Sequence, residues 1–382
     1  MPLLPACCSS IRAKDGGRSP ELLPLQQLNY INFQQTMNKS KNLMMTLLAL
    51  ATCSSLIAQP RARQRTTFTT DTLMVHDPVM AFENGKYYIL STGMGVSWAT
   101  SDNRTSWTVH GTPLMKEVPQ WTRDLVPGFR NHVWAPDIIR WHGRWWLMYS
   151  CSTFGKNTSA IGLLTSPSLD KPQWKDMGCV VATDSTSSYN AIDPNIIIDR
   201  NDQPWVTFGS FWDGIQLVRL DSTMHIPQGF QPTTIARRYG HPFPQLENPT
   251  SRFAGSNAIE APFIYQRDGW YYLFVSWDYC CRGSQSTYRV VCGRSRNVTG
   301  PYLDREGKSM LDGGGTLVIE GDKTLFEAAG HCAVYDVEER GKATLFICHG
   351  YSVPMKGQSI LVQRILEWEN GWPKEIKDYK EF

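Results

Sequence analysis

The chain has 382 residues, 12% aromatic and 19% charged, with 14 tryptophans and a formal net charge of +3. That balance excludes a disordered chain and suits a β-rich globular protein with a large core and aromatic surfaces. The 38 Lys and Arg residues are scattered with no basic stripe, which excludes a phosphate-backbone partner such as nucleic acid.

In chain order, the first informative stretch is MNKSKNLMMTLLALATCSSLIAQP from Met37. Lys39 and Lys41 make a positive start, Leu43 to Ala51 an apolar core, and Ala58 a small residue suited to cleavage. Residues 37–58 are expected to be a secretory signal, too short and too interrupted by polar residues to form a stable membrane span. The protein is then secreted or periplasmic. On this reading Met37 is the true start, 1–36 an upstream extension, 59–70 a linker and 71–382 the functional domain. Attachment of a lipid at Cys53 ranks second, because Thr52 before it fits poorly.

Seven cysteines follow the signal: Cys151, Cys179, Cys280, Cys281, Cys292, Cys332 and Cys348. None has C-x-x-C spacing, and an odd number cannot all pair within one chain. They are expected mostly as small buried strand residues, with one disulfide at most.

Five segments share one pattern. They are HDPVMAFENGKYYILST from His76, WAPDIIRWHGRWWLMYSCS from Trp134, IDPNIIIDRNDQPWVTFGS from Ile192, IEAPFIYQRDGWYYLFVSW from Ile259 and GHCAVYDVEERGKATLFICHG from Gly330. Each runs from a polar residue beside a Pro or small residue through an apolar strand, a polar turn and a second aromatic or β-branched strand. Turns such as Glu83-Asn84-Gly85 and Arg267-Asp268-Gly269 are strong hairpin signals. Pro78, Pro136, Pro194 and Pro262 lie 58, 58 and 68 residues apart, room for about four strands of ~5–6 residues each with their turns. Five such units predict an all-β, five-bladed β-propeller.

In a propeller, equivalent positions of the innermost strands converge on one funnel. The repeat puts Asp77, Asp137, Asp193, Glu260 and His331 at or near that position. Burying an unpartnered carboxylate costs several kcal/mol, so acids aimed at one axis point to a site more than to packing. A single Asp-Pro would read as a turn signal, but Asp77, Asp193 and Glu260 in three blades read as a site. Asp137 falls one residue after its Pro and is assigned a structural role, as a cap or a partner of Arg140. Clustered carboxylates fit glycosidic hydrolysis, in which one carboxyl donates a proton and another accepts one. Aromatics including Trp98, Trp134, Phe154, Phe211 and Trp212 could stack on sugar faces.

The motifs HDP (His76–Pro78), VWAPDI (Val133–Ile138), STFGKNTSAIGLLTS (Ser152–Ser166), NAIDPNI (Asn190–Ile196), FGSFWDGI (Phe208–Ile215), IEAPFI (Ile259–Ile264) and DYCCRGSQSTYRVVCGRS (Asp278–Ser295) resemble those of glycoside hydrolase family 43, and within it the endo-1,5-α-L-arabinanases. The resemblance implies an inverting hydrolase of α-1,5-arabinan, with Asp77 as general base, Glu260 as general acid and Asp193 as the carboxylate that raises and orients the acid. It implies sugar contacts from Gly155, Asn190, Ser210, Phe211, Trp212 and Trp134. It implies a single metal ion, calcium, on the axis at His331 with waters completing its shell, and no organic cofactor. Around that histidine the chain reads AAGHCAV, with Ala329 and Cys332 where the family commonly has Pro and Asn. A monomer acting on arabinan or its oligosaccharides is expected. Exo-attack by an arabinofuranosidase or β-xylosidase is the alternative, and the insertion Arg237–Ser256 is a loop that could close one end of a groove. A non-catalytic sugar-binding propeller would be expected to lack at least one of the three carboxylates.

Overall fold

The computed structural model describes residues 66–239, 257–338 and 342–377. The expected extension and signal lie outside them, as do residues 240–256 of the insertion. The described residues all belong to one compact unit, Arg65–Phe382.

Five antiparallel sheets make five blades. Their inner strands are Val79–Glu83, His132–Trp141, Asn195–Ile198, Ile259–Arg267 and Phe326–Glu338. Each pairs with the strand that follows it: Lys86–Ser91, Arg144–Cys151, Pro204–Phe208, Trp270–Trp277 and Lys342–Ser352. The hairpins turn where expected. Glu83 faces Lys86 across Asn84 and Gly85, both at positive φ (52° and 77°). Arg267 faces Trp270 in the same way, with Asp268 at 49° and Gly269 at 73°. Two consecutive left-handed residues match the twist of the flanking strands, which is why Asn-Gly and Asp-Gly occur there.

The start of the domain differs from expectation. Thr66–Thr69, assigned to a linker, is the outermost strand of the first blade and pairs with Ser106–Val109. Leu73 and Val75 then line the edge of the fifth blade, through Leu361 N–H to Leu73 O (2.9 Å) and Val75 N–H to Ser359 O (3.3 Å). One short segment thus serves the first and last blades and closes the ring. A closed ring leaves fewer exposed strand edges.

The core lies between blades. Leu90 and Tyr88 of the first pack with Ile138 and Leu147 of the second. Met148 and Ile161 of the second pack with Val206 and Phe208 of the third. Leu217 of the third meets Leu273 and Val275 of the fourth. A larger cluster joins Phe274, Phe346 and Ile89 of the fourth, fifth and first. Each sheet is therefore covered on both faces, and strands such as YYLFVS are apolar throughout instead of alternating.

Candidate active site

The five inner strands begin with the same backbone distortion. Asp77, Ala135, Asp193, Ala261 and His331 all have positive φ (53°, 38°, 57°, 53° and 53°), a conformation costly for residues other than glycine. This corrects the expected register. The equivalent positions are those five, Glu260 stands one residue earlier, and Asp137 two residues later.

Each distorted residue hands its amide proton to a neighbouring blade. Ala135 N–H donates to Thr92 Oγ1 (2.9 Å), Asp193 N–H to Ser150 Oγ (3.0 Å), His331 N–H to Ser276 Oγ (2.8 Å) and Asp77 N–H to His349 Nδ1 (3.1 Å). Thr92, Ser150, Ser276 and His349 occupy matching places at the end of the second strand, so the contacts form a ring around the molecule. Gly209 holds that place in the third blade, and there the pattern breaks, because it has no side chain and the nearest hydroxyl comes one residue later, on Ser210. Its hydroxyl donates to Glu260 Oε2 (2.7 Å), and Asp193 Oδ2 takes the Ala261 amide instead (3.2 Å).

Asp77 lies among imidazoles. His76 Nδ1 is 2.9 Å from Oδ2 and His331 Nδ1 3.0 Å from Oδ1, while the Thr92 hydroxyl donates to Oδ2 (2.6 Å). Burial alone would raise this carboxyl, yet His76 and His331 hold it well below the usual carboxylate range. Burial works against charge on those two rings as well, but Asp77 raises both. His349 differs. Its Nδ1 is 3.7 Å from Asp77 Oδ1, but burial and His76 hold the ring well below its ordinary value. Because that nitrogen accepts the Asp77 amide, the contact is not an ion pair.

Glu260 and Asp193 have the opposite surroundings. Burial raises Glu260 and Cys281 adds to it, against hydrogen bonds from Ser210 and Tyr288. Burial also raises Asp193 well above its ordinary value, helped by Glu260 and Asp77 and opposed by His331. Two negative charges repel in this buried corner, and one proton between the pair is the stable arrangement.

Asp137 is buried, and its Oδ2 accepts from Ile196 N–H (2.7 Å) and Asn195 Nδ2 (3.2 Å) in the next blade. Its role is structural, but its partner is not Arg140. That arginine pairs with the buried Glu83 (3.0 Å), which also accepts from Trp145, Ser168, Leu169 and Asp170.

The expected sugar contacts divide. Ser210 touches Glu260, and Phe211, at φ 59°, hydrogen-bonds through its amide to Ile259 O (2.8 Å), one residue from Glu260. Trp134, one residue before Ala135, is half-buried and donates from its indole to His132 (3.0 Å). Trp212 is buried, and its indole N–H has no partner. Asn190 Oδ1 is taken by the Ser159 hydroxyl (2.7 Å). Gly155 sits on an exposed turn at φ 74° next to Phe154, itself 80% exposed; no described contact ties it to the carboxylates.

His76, Thr92, Tyr288, His349 and Tyr351 escaped the sequence reading of the site. Extending the repeat to the end of each second strand would have aligned Thr92 and His349 with Ser150, Gly209 and Ser276. No disulfide joins the seven described cysteines; Cys151, Cys292, Cys332 and Cys348 are buried in strands.

Residues 71–373 match the family model for glycosyl hydrolases family 43. The chain belongs to that family. It is a glycoside hydrolase. The chain is 38% identical over 304 residues to the extracellular endo-α-(1→5)-L-arabinanase 1 of Bacillus subtilis, covering 78% of this chain and 87% of that one. Among solved structures it is similar to an exo-1,5-α-L-arabinanase from a bovine ruminal metagenomic library (48% identity, TM-score 0.71, 78% and 95% covered). It is also similar to a Cellvibrio cellulosa α-L-arabinanase complexed with arabinohexaose (37% identity, TM-score 0.73, 79% and 95% covered). The five-bladed architecture is thus that of family 43 arabinanases. Among the described residues no helix is long and apolar enough to cross a membrane.

Proposed function

We propose that this family 43 hydrolase cleaves internal α-1,5 bonds of L-arabinan, with Asp77 as general base, Glu260 as general acid and Asp193 as the charge that tunes the acid. One observation carries the assignment. Asp77 and Glu260 are equally buried, 8% and 7% exposed, yet two imidazoles pull Asp77 well below its ordinary value against burial, whereas burial, with Cys281, leaves Glu260 raised. A carboxyl held ionised can take a proton from water, and one held protonated can give a proton to the leaving oxygen. Asp193 contributes in two ways: the two carboxyls repel when both are ionised, so a charge on Asp193 favours the proton on Glu260, and its Oδ2 holds the Ala261 amide and so fixes the backbone beside the acid.

His331 has one nitrogen on Asp77, and among the described residues no hydrogen bond engages Nε2. Asp77, Asp193 and Glu260 all act on this ring as negative charges. These residues fit an oxygen-loving cation completed by water, and we assign calcium to Nε2. Bound there, it would supply positive charge near the carboxylates.

Secretion through residues 37–58 accords with the extracellular B. subtilis relative, and we propose a monomer. Attack from chain ends is the second reading, favoured by the 48% identity to the ruminal exo-arabinanase. Incubation with linear arabinan, branched arabinan and xylan, followed by sizing of products, separates the readings. Mixed short oligosaccharides and an early fall in viscosity are expected from linear arabinan. Arabinose, or any single short product, as the sole early species establishes exo-attack, and inactivity on arabinan removes the substrate assignment.

A further inference from the structure

Beside Asp77, on the side of the His76 ring turned away from the carboxylate, lie two adjacent thiols that take no proton-transfer step in the proposed hydrolysis. Cys281 is exposed and Cys280 half-buried. The ligand atoms of His76, Cys280 and Cys281 all lie within 4.8 Å of one another. Cys281 Sγ is 3.7 Å from His76 Nε2. A tetrahedral ion with bonds of about 2.3 Å to sulfur and 2.0 Å to imidazole separates those two donors by roughly 3.5 Å, so the spacing is close to what one ion needs.

We propose that His76 Nε2, Cys280 Sγ and Cys281 Sγ form a binding site for a soft or borderline divalent cation of the zinc or cadmium type, and that its occupation suppresses hydrolysis. Thiolate and imidazole donors select such ions over calcium. The ring is already oriented for the task, since Nδ1 is held by Asp77 at 2.9 Å, the carboxylate–histidine–metal arrangement that fixes tautomer and direction. The alternative trio of His76, Asp77 and His349 is less suitable, because His349 Nδ1 accepts the Asp77 amide. Tyr351 would give up its 3.0 Å contact with His76 Nε2 yet keep the Cys281 amide (2.7 Å) and His349 Nε2 (3.3 Å). No buried hydroxyl is orphaned by binding. The two thiol protons leave to solvent as the ion enters, and the exposed side of Cys281 leaves a fourth position for water. An ion there stands one imidazole ring from Asp77 and would restrain the side chain that holds the base.

The suppression rests on the hydrolytic reading of Asp77, whereas binding does not, so the two are measured separately. The reduced full chain is titrated with cadmium in calcium-containing buffer, following the ultraviolet thiolate-to-metal charge-transfer band and metal per chain by equilibrium dialysis. One cadmium per chain with the band is expected, and loss of both in Cys281→Ser and in the Cys280→Ser/Cys281→Ser double variant. Hydrolysis, normalised to each protein's own metal-free rate, should fall in step with the band in the parent and stay level in the variants. A missing band in the reduced parent, or a band retained in Cys281→Ser, overturns the site. Equal loss of activity in parent and variants, or an unchanged rate in a saturated parent, overturns the suppression.

Discussion

Asp77 stands among imidazoles, with His76 and His331 each in contact with one of its oxygens. Glu260 stands among a serine, a tyrosine and a thiol, with the carboxyl of Asp193 as its neighbour. Both acids leave the same place in the repeat, within one residue of a distorted strand start, and both are buried to the same depth. Depth therefore does not decide which of them holds a proton. The imidazoles do, because a cation stabilises the charged form of a carboxyl and overcomes burial at Asp77, whereas the hydrogen bonds at Glu260 leave the rise from burial in place. A fivefold-repeated scaffold acquires two chemistries by changing a few side chains around equivalent backbone.

The sharpest break of that comparison is removal of each acid. Asp77→Asn and Glu260→Gln should each lower arabinan hydrolysis by about 10²–10⁴-fold while unfolding near the parental temperature. Reducing-sugar release beside a thermal melt tests this, and near-parental turnover by either folded variant would end the pairing.

Asp193→Asn should lower turnover by roughly 10²-fold and also move the pH profile. Removing the charge that repels an ionised Glu260 lowers the acid's proton affinity, so the alkaline limb of kcat should shift to lower pH. A limb that stays in place would mean that Asp193 acts by another route.

Ser210→Ala should move the same limb the other way. The hydroxyl stabilises ionised Glu260, so its loss raises the acid's proton affinity and extends activity to higher pH. The stability change should be about 1–3 kcal/mol, read from urea unfolding. Opposite displacement of the limb in these two variants is the signature of a shared effect on one acid.

Asp137 supplies a buried acid outside this corner, and its replacement should affect hydrolysis least. Burial pushes its carboxyl from 3.8 up to about 6 despite hydrogen bonds from Ile196 and Asn195. Between those values the folded protein binds the extra proton, so this residue's contribution to stability falls as pH rises through the window. Asp137→Asn should remove that dependence, on the order of 1–3 kcal/mol across it, with turnover near parental. An unchanged stability–pH slope would show that the carboxyl does not titrate there.

The blades were legible because hairpin turns such as Asn84-Gly85 and Asp268-Gly269 and the paired apolar runs are local features. The three acids were legible because they recur beside Pro or small residues at the repeat's spacing. The register error at Asp137 arose because proline marks the strand start but not the distorted residue, which a bulge sets. Glu83 read as part of a polar turn, although it is a buried acceptor tying the first two blades together. Its partners come from Arg140 to Asp170, far along the chain, and no local pattern announces them.

By itself the sequence determined a five-bladed propeller and carboxylates at its repeated strand starts, since strand period, turn chemistry and repeat length act over a few residues to tens of residues. Only the tertiary structure decided which acid is held ionised, that the interblade ring breaks at Gly209 while Ser210 meets Glu260, and that the first segment serves both ends of the ring. Those outcomes depend on distances between residues as far apart as His76 and Tyr351, and such distances exist only once the ring has closed.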